Sequence, residues 1–241
     1  MIEETPSIET PDGQMETFTV MPDGDGPFPA VILYMDAPGI RDELREFCRR
    51  IAAEGYYALL PDMYYRIGFR MTRFDEQGMK EMFDAMRSLN NELVMRDTGA
   101  MLSFLASRAS VASGPKGCIG YCMSGQYVVS AAGTYPDDFG AAASLYGVGI
   151  VTKKSDSPHL LADKRKGELY LGFAETDEYV GDDVVPKLKA ELDQHSVDYR
   201  LDVWPGTEHG FCFPERVGAY HEESAEQVWG IVFDLFKRKL G

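Results

Sequence analysis

The sequence has no apolar run approaching the roughly eighteen residues that a membrane-spanning helix needs, so no such span is expected. It is also poor in cysteine. The four, Cys48, Cys118, Cys122 and Cys212, are irregularly spaced, which excludes a disulfide-built scaffold and a paired Cys-x-x-Cys zinc site. Positive charge is scarce too: 24 Lys and Arg stand against 39 Asp and Glu, for a formal net charge of -15. With no clustered basic stripe, phosphate backbones are repelled and nucleic acid is not an expected partner. Repeats, low-complexity runs and linkers are absent, so one domain over residues 1–241 is expected. The opening Met1-Ile2-Glu3-Glu4 is neither basic nor apolar, and the expected location is cytoplasmic.

What is present is the material of a packed core, with 44% hydrophobic and 12% aromatic residues. After a turn at Asp12-Gly13 and a Gly/Pro/Asp-rich stretch at 22–29, Ala30 to Met35 reads as a buried strand. Asp42 to Glu54 reads as a helix because Leu44, Phe47, Cys48 and Ile51 recur at helical spacing, with Gly55 placed to end it. Tyr56 to Leu60 is the next strand. Met79 to Ser107 reads as helical with a break near Asn90-Asn91, and its methionines (Met82, Met86, Met101) read as core packing. Strands at Lys116–Tyr121, Ala141–Tyr146, Leu169–Ala174 and Tyr199–Trp204 then alternate with helices at Ser124–Gly133, Pro186–His195 and Glu222–Lys239. This alternation predicts an α/β fold with a mostly parallel central sheet flanked by helices and no large cap domain.

Gly120-Tyr121-Cys122-Met123-Ser124-Gly125 lies where a predicted strand passes directly into a predicted helix, the context of a nucleophile elbow. Small residues are needed two positions either side of the nucleophile, because the tight turn brings backbones together there. Gly120 and Ser124 meet that need around Cys122. Ser124 as the nucleophile would place Gln126 in the crowded position. A thiol at a helix N-terminus is favoured as the thiolate, and the Met123 amide that follows it can donate to an oxyanion. Cys48 and Cys118 read instead as small buried residues.

A nucleophile of this kind needs an acid and then a histidine downstream. Of the four histidines, His209 sits in the loop Gly206-Thr207-Glu208-His209-Gly210-Phe211 just after a strand, whereas His159, His195 and His221 fail on order or placement. The acid belongs in the loop after Leu169–Ala174, where Glu175, Asp177 and Glu178 all lie. Asp177 has the favoured spacing, and Glu175 remains its rival.

These motifs together resemble the dienelactone hydrolase family, a branch of the α/β-hydrolases with cysteine in a Gly-Tyr-Cys-x-Gly-Gly turn. The likeness extends to Glu54-Gly55-Tyr56-Tyr57-Ala58, Leu145-Tyr146-Gly147-Val148-Gly149, Thr176-Asp177-Glu178-Tyr179-Val180 and Glu208-His209-Gly210-Phe211. The resemblance implies the α/β-hydrolase fold, Cys122, Asp177 and His209 as the catalytic triad, and the Ala37 and Met123 amides as the oxyanion hole. Three departures stand out. The family's glutamate after the first core strand is the shorter Asp36, a family glycine is Ser124, and the arginine four residues after the histidine is Phe213. With the carboxylate-binding arginine gone, Arg66, Arg70, Arg73 and Arg87 are candidates to replace it.

The expected activity is hydrolysis of a carboxylic ester or lactone through a covalent acyl-enzyme. Asp36, Tyr64, Tyr146, Phe211 and Phe213 are expected about the substrate, in a partly apolar pocket. No metal or organic cofactor is required, the partner is a small-molecule substrate, and the chain is expected as a monomer or small homo-oligomer. A non-catalytic ligand-binding protein on the same fold is the alternative, and a thiol-dependent redox or peptidase role is a third.

Overall fold

Residues 2–21, which announce little in the sequence beyond the Asp12-Gly13 turn, form three strands in the computed structural model, which describes residues 1–241. These are β1 (Ile2–Glu4), β2 (Ser7–Thr10) and β3 (Gly13–Met21). Thr10 closes the β2–β3 hairpin: its hydroxyl donates to the Gly13 carbonyl at 2.8 Å and accepts from the Asp12 amide at 3.2 Å. The chain falls into two units, Met1–Gly114 and Pro115–Gly241.

In the first unit, β4 (Ala30–Tyr34) and β5 (Tyr57–Pro61) are buried at every position. That is why their sequences run apolar without alternation. They pair in parallel, while β3 adds antiparallel to the far side of β5, for an order β1-β3-β5-β4. Helix α1 (Asp42–Ala53) joins β4 to β5 and buries Leu44, Phe47, Cys48 and Ile51. Gly55, at φ 98, takes the left-handed turn that ends it and donates to the Ala52 carbonyl. The expected helical stretch 79–107 is two helices, α2 (Glu76–Arg87) and α3 (Asn91–Ser107). Each has its own cap: Asp75 accepts from the Gly78 amide at 2.8 Å and Asn90 from the Leu93 amide at 2.9 Å. The caps place one start three residues earlier than apolar spacing indicates.

The second unit is a four-stranded parallel sheet in the order β6-β7-β8-β9, with β6 (Lys116–Tyr121), β7 (Phe139–Leu145), β8 (Glu168–Thr176) and β9 (Tyr199–Glu208). Helix α4 (Gly125–Thr134) connects the first two strands and α5 (Val184–Gln194) the last two. A 3₁₀ turn at Pro158–Lys164, which the sequence did not announce, lies between β7 and β8. The last helix, α6 (Glu222–Leu240), buries Trp229, Val232, Leu235 and Phe236. Each such side chain contributes on the order of 1.5–3 kcal/mol relative to exposure. Gly117 admits this helix closely, since a Cβ there would lie 3.0 Å from both Phe236 and Leu240. No helix is long and apolar enough to cross a membrane.

Candidate active site

Strand β6 ends at Tyr121, and the next residue, Cys122, holds a left-handed backbone at φ 54 before a 3₁₀ turn (Cys122–Ser124) runs into α4. For a residue with a Cβ that conformation costs on the order of 1–3 kcal/mol, and the surrounding turn must hold it. Two amides do so by donating to the Cys122 carbonyl: Val148 at 2.9 Å and Gly125. The crowding inferred from the motif is present. A Cβ on Gly120 would lie 2.9 Å from both the Ser124 carbonyl oxygen and Val128, and one on Gly125 would lie 2.3 Å from Gly147 Cα. Cys122 is 9% exposed, whereas Cys48, Cys118 and Cys212 are buried to 1% or less. Burial pushes those three thiols well above their ordinary range, so they are poor nucleophiles.

The strands β8 and β9 bring His209 to an acid through a change of register. Ala174 lies opposite Trp204, but Thr176 lies opposite Glu208, so β9 spends two extra residues over this interval. Gly206, at φ 71, supplies the bend, and its amide donates to the Glu175 carboxylate at 2.8 Å. Beyond the last pair, Asp177 and His209 stand side by side, and His209 Nδ1 bonds Asp177 Oδ2 at 2.8 Å. The other Asp177 oxygen accepts from the Tyr179 amide at 2.9 Å. Both side chains are nearly out of water, at 6% exposed for His209 and 5% for Asp177. Glu175, the rival by spacing, is engaged with the bulge instead. His209 Nε2 is buried without a hydrogen-bond partner.

The remaining histidines have local bonds. His159 Nδ1 pairs with the Ser157 hydroxyl at 2.8 Å, His195 ends α5 beside Glu191, and the His221 ring accepts from the Ser224 amide at the start of α6.

Aromatic rings surround His209. Tyr146, itself at φ 37 and fully buried, meets the imidazole edge-on at 5.0 Å, and also packs on Phe211 at 5.4 Å and Tyr121 at 5.9 Å. Phe213 is fully buried, edge-on to Tyr121 at 5.1 Å, with the Arg216 guanidinium 5.7 Å from its ring. Phe211 and Phe213 therefore support the histidine loop from within. Two residues escaped the sequence reading. Tyr179 meets the imidazole at 4.8 Å from the exposed side, and its position two residues after Asp177 in an Asx turn was the available signal. Arg216 packs so closely on Gly210 that a Cβ there would come within 2.6 Å of its Cδ.

Asp36, Ala37 and Tyr64 belong to the first unit. Asp36 is fully buried and takes a bidentate pair from Arg41, with the Nη2–Oδ2 bond at 3.1 Å. Arg41 also bonds Glu43. The Tyr64 hydroxyl donates to the Ala37 carbonyl at 2.9 Å and so orients that peptide. The arginines weighed as carboxylate clamps are all engaged with acids of their own unit: Arg66 with Asp97 and Asp12, Arg70 with Asp62, Arg73 with Glu81, and Arg87 with Asp84. No three His, Cys, Asp or Glu side chains converge as a metal-ion site requires.

Residues 15–240 match the model of the dienelactone hydrolase family. The chain is 27% identical over 234 residues to the Synechocystis protein named "Putative carboxymethylenebutenolidase", covering 94% of this chain and 93% of that one. A crystal structure of a "Putative Dienelactone Hydrolase" from Klebsiella pneumoniae superposes with a TM-score of 0.88 at 26% identity, over 98% of both chains. A dienelactone hydrolase-like promiscuous phosphotriesterase from metagenomic libraries, 20% identical, shares the fold at a TM-score of 0.83 over the whole of both chains. These likenesses agree with the expected α/β fold built on a mostly parallel sheet flanked by helices.

Proposed function

The chain belongs to the dienelactone hydrolase family, and from that premise we propose that it cleaves a carboxylic ester or lactone with Cys122 as nucleophile, His209 as proton carrier and Asp177 as the acid that orients it. The observation that carries this reading is the Asp177–His209 bond together with the unengaged Nε2. With Nδ1–H donated to Asp177, the lone pair of the neutral imidazole lies on Nε2, the tautomer a general base needs.

In the reaction, His209 Nε2 takes the thiol proton as Cys122 Sγ bonds to the substrate carbonyl carbon, and the carbonyl π electrons move onto oxygen. The Met123 amide, at the start of the turn into α4, donates to that oxyanion. The resemblance adds the Ala37 amide as a second donor. Collapse expels the alkoxide, which takes the proton from His209; in a lactone it remains part of the same acyl chain. Water then attacks the thioester with His209 again as base, the acid departs, and the thiol regains its proton. The buried Asp177 carboxylate stabilises the imidazolium in both halves. Tyr146 and the rings about it support a partly apolar substrate site.

The test is hydrolysis of p-nitrophenyl acetate, a neutral lactone and a carboxylated dienelactone by wild type and Cys122→Ala. Turnover by wild type alone is expected, with the neutral compounds preferred because no arginine stands four residues after His209. Equal turnover by the variant would remove Cys122 from the mechanism. Absence of turnover by both would favour a ligand-binding protein on this fold.

A further inference from the structure

The imidazole of His209 contacts two tyrosines of unequal burial. Tyr146 is fully buried and Tyr179 is 45% exposed, yet both meet the ring edge-on, at 5.0 Å and 65° and at 4.8 Å and 66°. A large aromatic side chain exposed to that degree would ordinarily range over several rotamers. Tyr179 is instead tethered through its backbone, because Asp177 accepts its amide with Oδ1 while holding His209 with Oδ2. One carboxylate therefore positions both the imidazole and the ring that covers it.

The phenol does not account for this placement. Burial, and after it the neighbouring Glu178 carboxylate, push the Tyr179 phenol above its ordinary range, so it stays neutral. What faces His209 is the ring. Two edge contacts, one from a buried ring and one from an exposed ring, restrict rotation of the imidazole about its side-chain bonds. Edge-to-face contacts of this kind are attractive beyond the area they bury. An imidazole held in one orientation, with its buried Nε2 unengaged, needs no reorganisation before it takes a proton.

We propose that Tyr179 is a positioning residue, whose ring forms the solvent-side half of an aromatic clamp that fixes His209 for proton transfer. The proposal rests on the hydrolase reading above. It assigns the function to the ring and none to the hydroxyl.

Tyr179→Ala and Tyr179→Phe, compared with wild type on p-nitrophenyl acetate, separate these roles. The acetyl group is small, so loss of a substrate-contacting wall would raise KM, whereas loss of a clamp lowers kcat. Expected is a fall in kcat of about tenfold for Tyr179→Ala with KM unchanged, and kcat within about twofold of wild type for Tyr179→Phe. The His209 ring-proton resonances, shifted by the neighbouring aromatic currents, should move in the alanine variant and stay in the phenylalanine one. Wild-type kcat in Tyr179→Ala, or equal impairment of both variants, would overturn the assignment. If wild type itself shows no Cys122-dependent turnover, the hydrolase reading fails separately, and unmoved His209 resonances in Tyr179→Ala would then reject the clamp.

Discussion

Thr176 of β8 stands opposite Glu208 of β9, although Ala174 two residues earlier stands opposite Trp204, and this slip is what sets Asp177 beside His209. Asp177→Asn preserves size and position but can offer its amide N–H to the imidazole and stabilise the wrong tautomer. A fall in kcat/KM of about a thousandfold or more is expected, with an unchanged melting temperature. Glu175→Gln, in which an amide oxygen still accepts from Gly206, should remain within about threefold of wild type. Steady-state kinetics on one ester distinguish the two acids, and an inversion of their effects would transfer the role to Glu175.

That slip also marks the limit of what the sequence disclosed. The elbow was legible because Gly120, Cys122 and Ser124 carry a local steric requirement, and strands β4 and β5 because each is an uninterrupted apolar run. Strand β9 was expected to end at Trp204, since Pro205-Gly206 reads as a break. The observed strand continues to Glu208 because pairing with β8 resumes beyond the bulge, a tertiary effect without local signature. Strands β1 and β2 were missed for a similar reason: their short stretches become strands by pairing with β3, which itself pairs with β5. Spacing favoured Asp177 without excluding Glu175, because a bulge on the neighbouring strand decides which of them meets the histidine.

The elbow's packing predicts unequal tolerance at adjacent positions. Gly125→Ala would drive a Cβ to 2.3 Å from Gly147 Cα, backbone against backbone, so either α4 or the 146–149 loop must shift. A loss of about 3 kcal/mol or more is expected in urea denaturation. Ser124→Gly, which approaches the family's turn, introduces no new clash and should change stability by about 1 kcal/mol, less than Gly125→Ala. Equal stability of Gly125→Ala and wild type would contradict the close approach of α4 to that loop.

A pH-dependent contribution is expected at Glu168, the first residue of β8, which takes both guanidinium arms of Arg238 at 2.5 and 2.8 Å and Lys239 at 3.1 Å. Arg238 chiefly, against the opposing effect of burial, holds this carboxyl below its ordinary value of 4.5. A depressed folded value means that the stabilisation is complete above the unfolded value and disappears as pH falls through the folded one. Glu168→Gln should therefore cost about 1 kcal/mol at neutral pH, the partners being partly exposed, and nothing once the pH lies below the folded value. Urea denaturation of both proteins over a descending pH series from pH 7 reads the difference; a gap that does not narrow as the pH falls would assign the effect to packing.

The arginine missing after the histidine cannot be restored by a single substitution, because the side chain at 213 points into the protein. Phe213 is fully buried, packs edge-on against Tyr121, and has the Arg216 guanidinium over its ring. Phe213→Arg would bury a cation, remove the ring that Arg216 rests on, and bring two like charges together. A stability loss of about 3 kcal/mol is expected, without an increased preference for the carboxylated dienelactone over a neutral lactone. Denaturation and paired kcat/KM measurements check both parts. If the variant folds as stably as wild type and gains on the anionic substrate alone, the loop after His209 must turn its side chain toward the substrate, and selectivity would then rest on this one position.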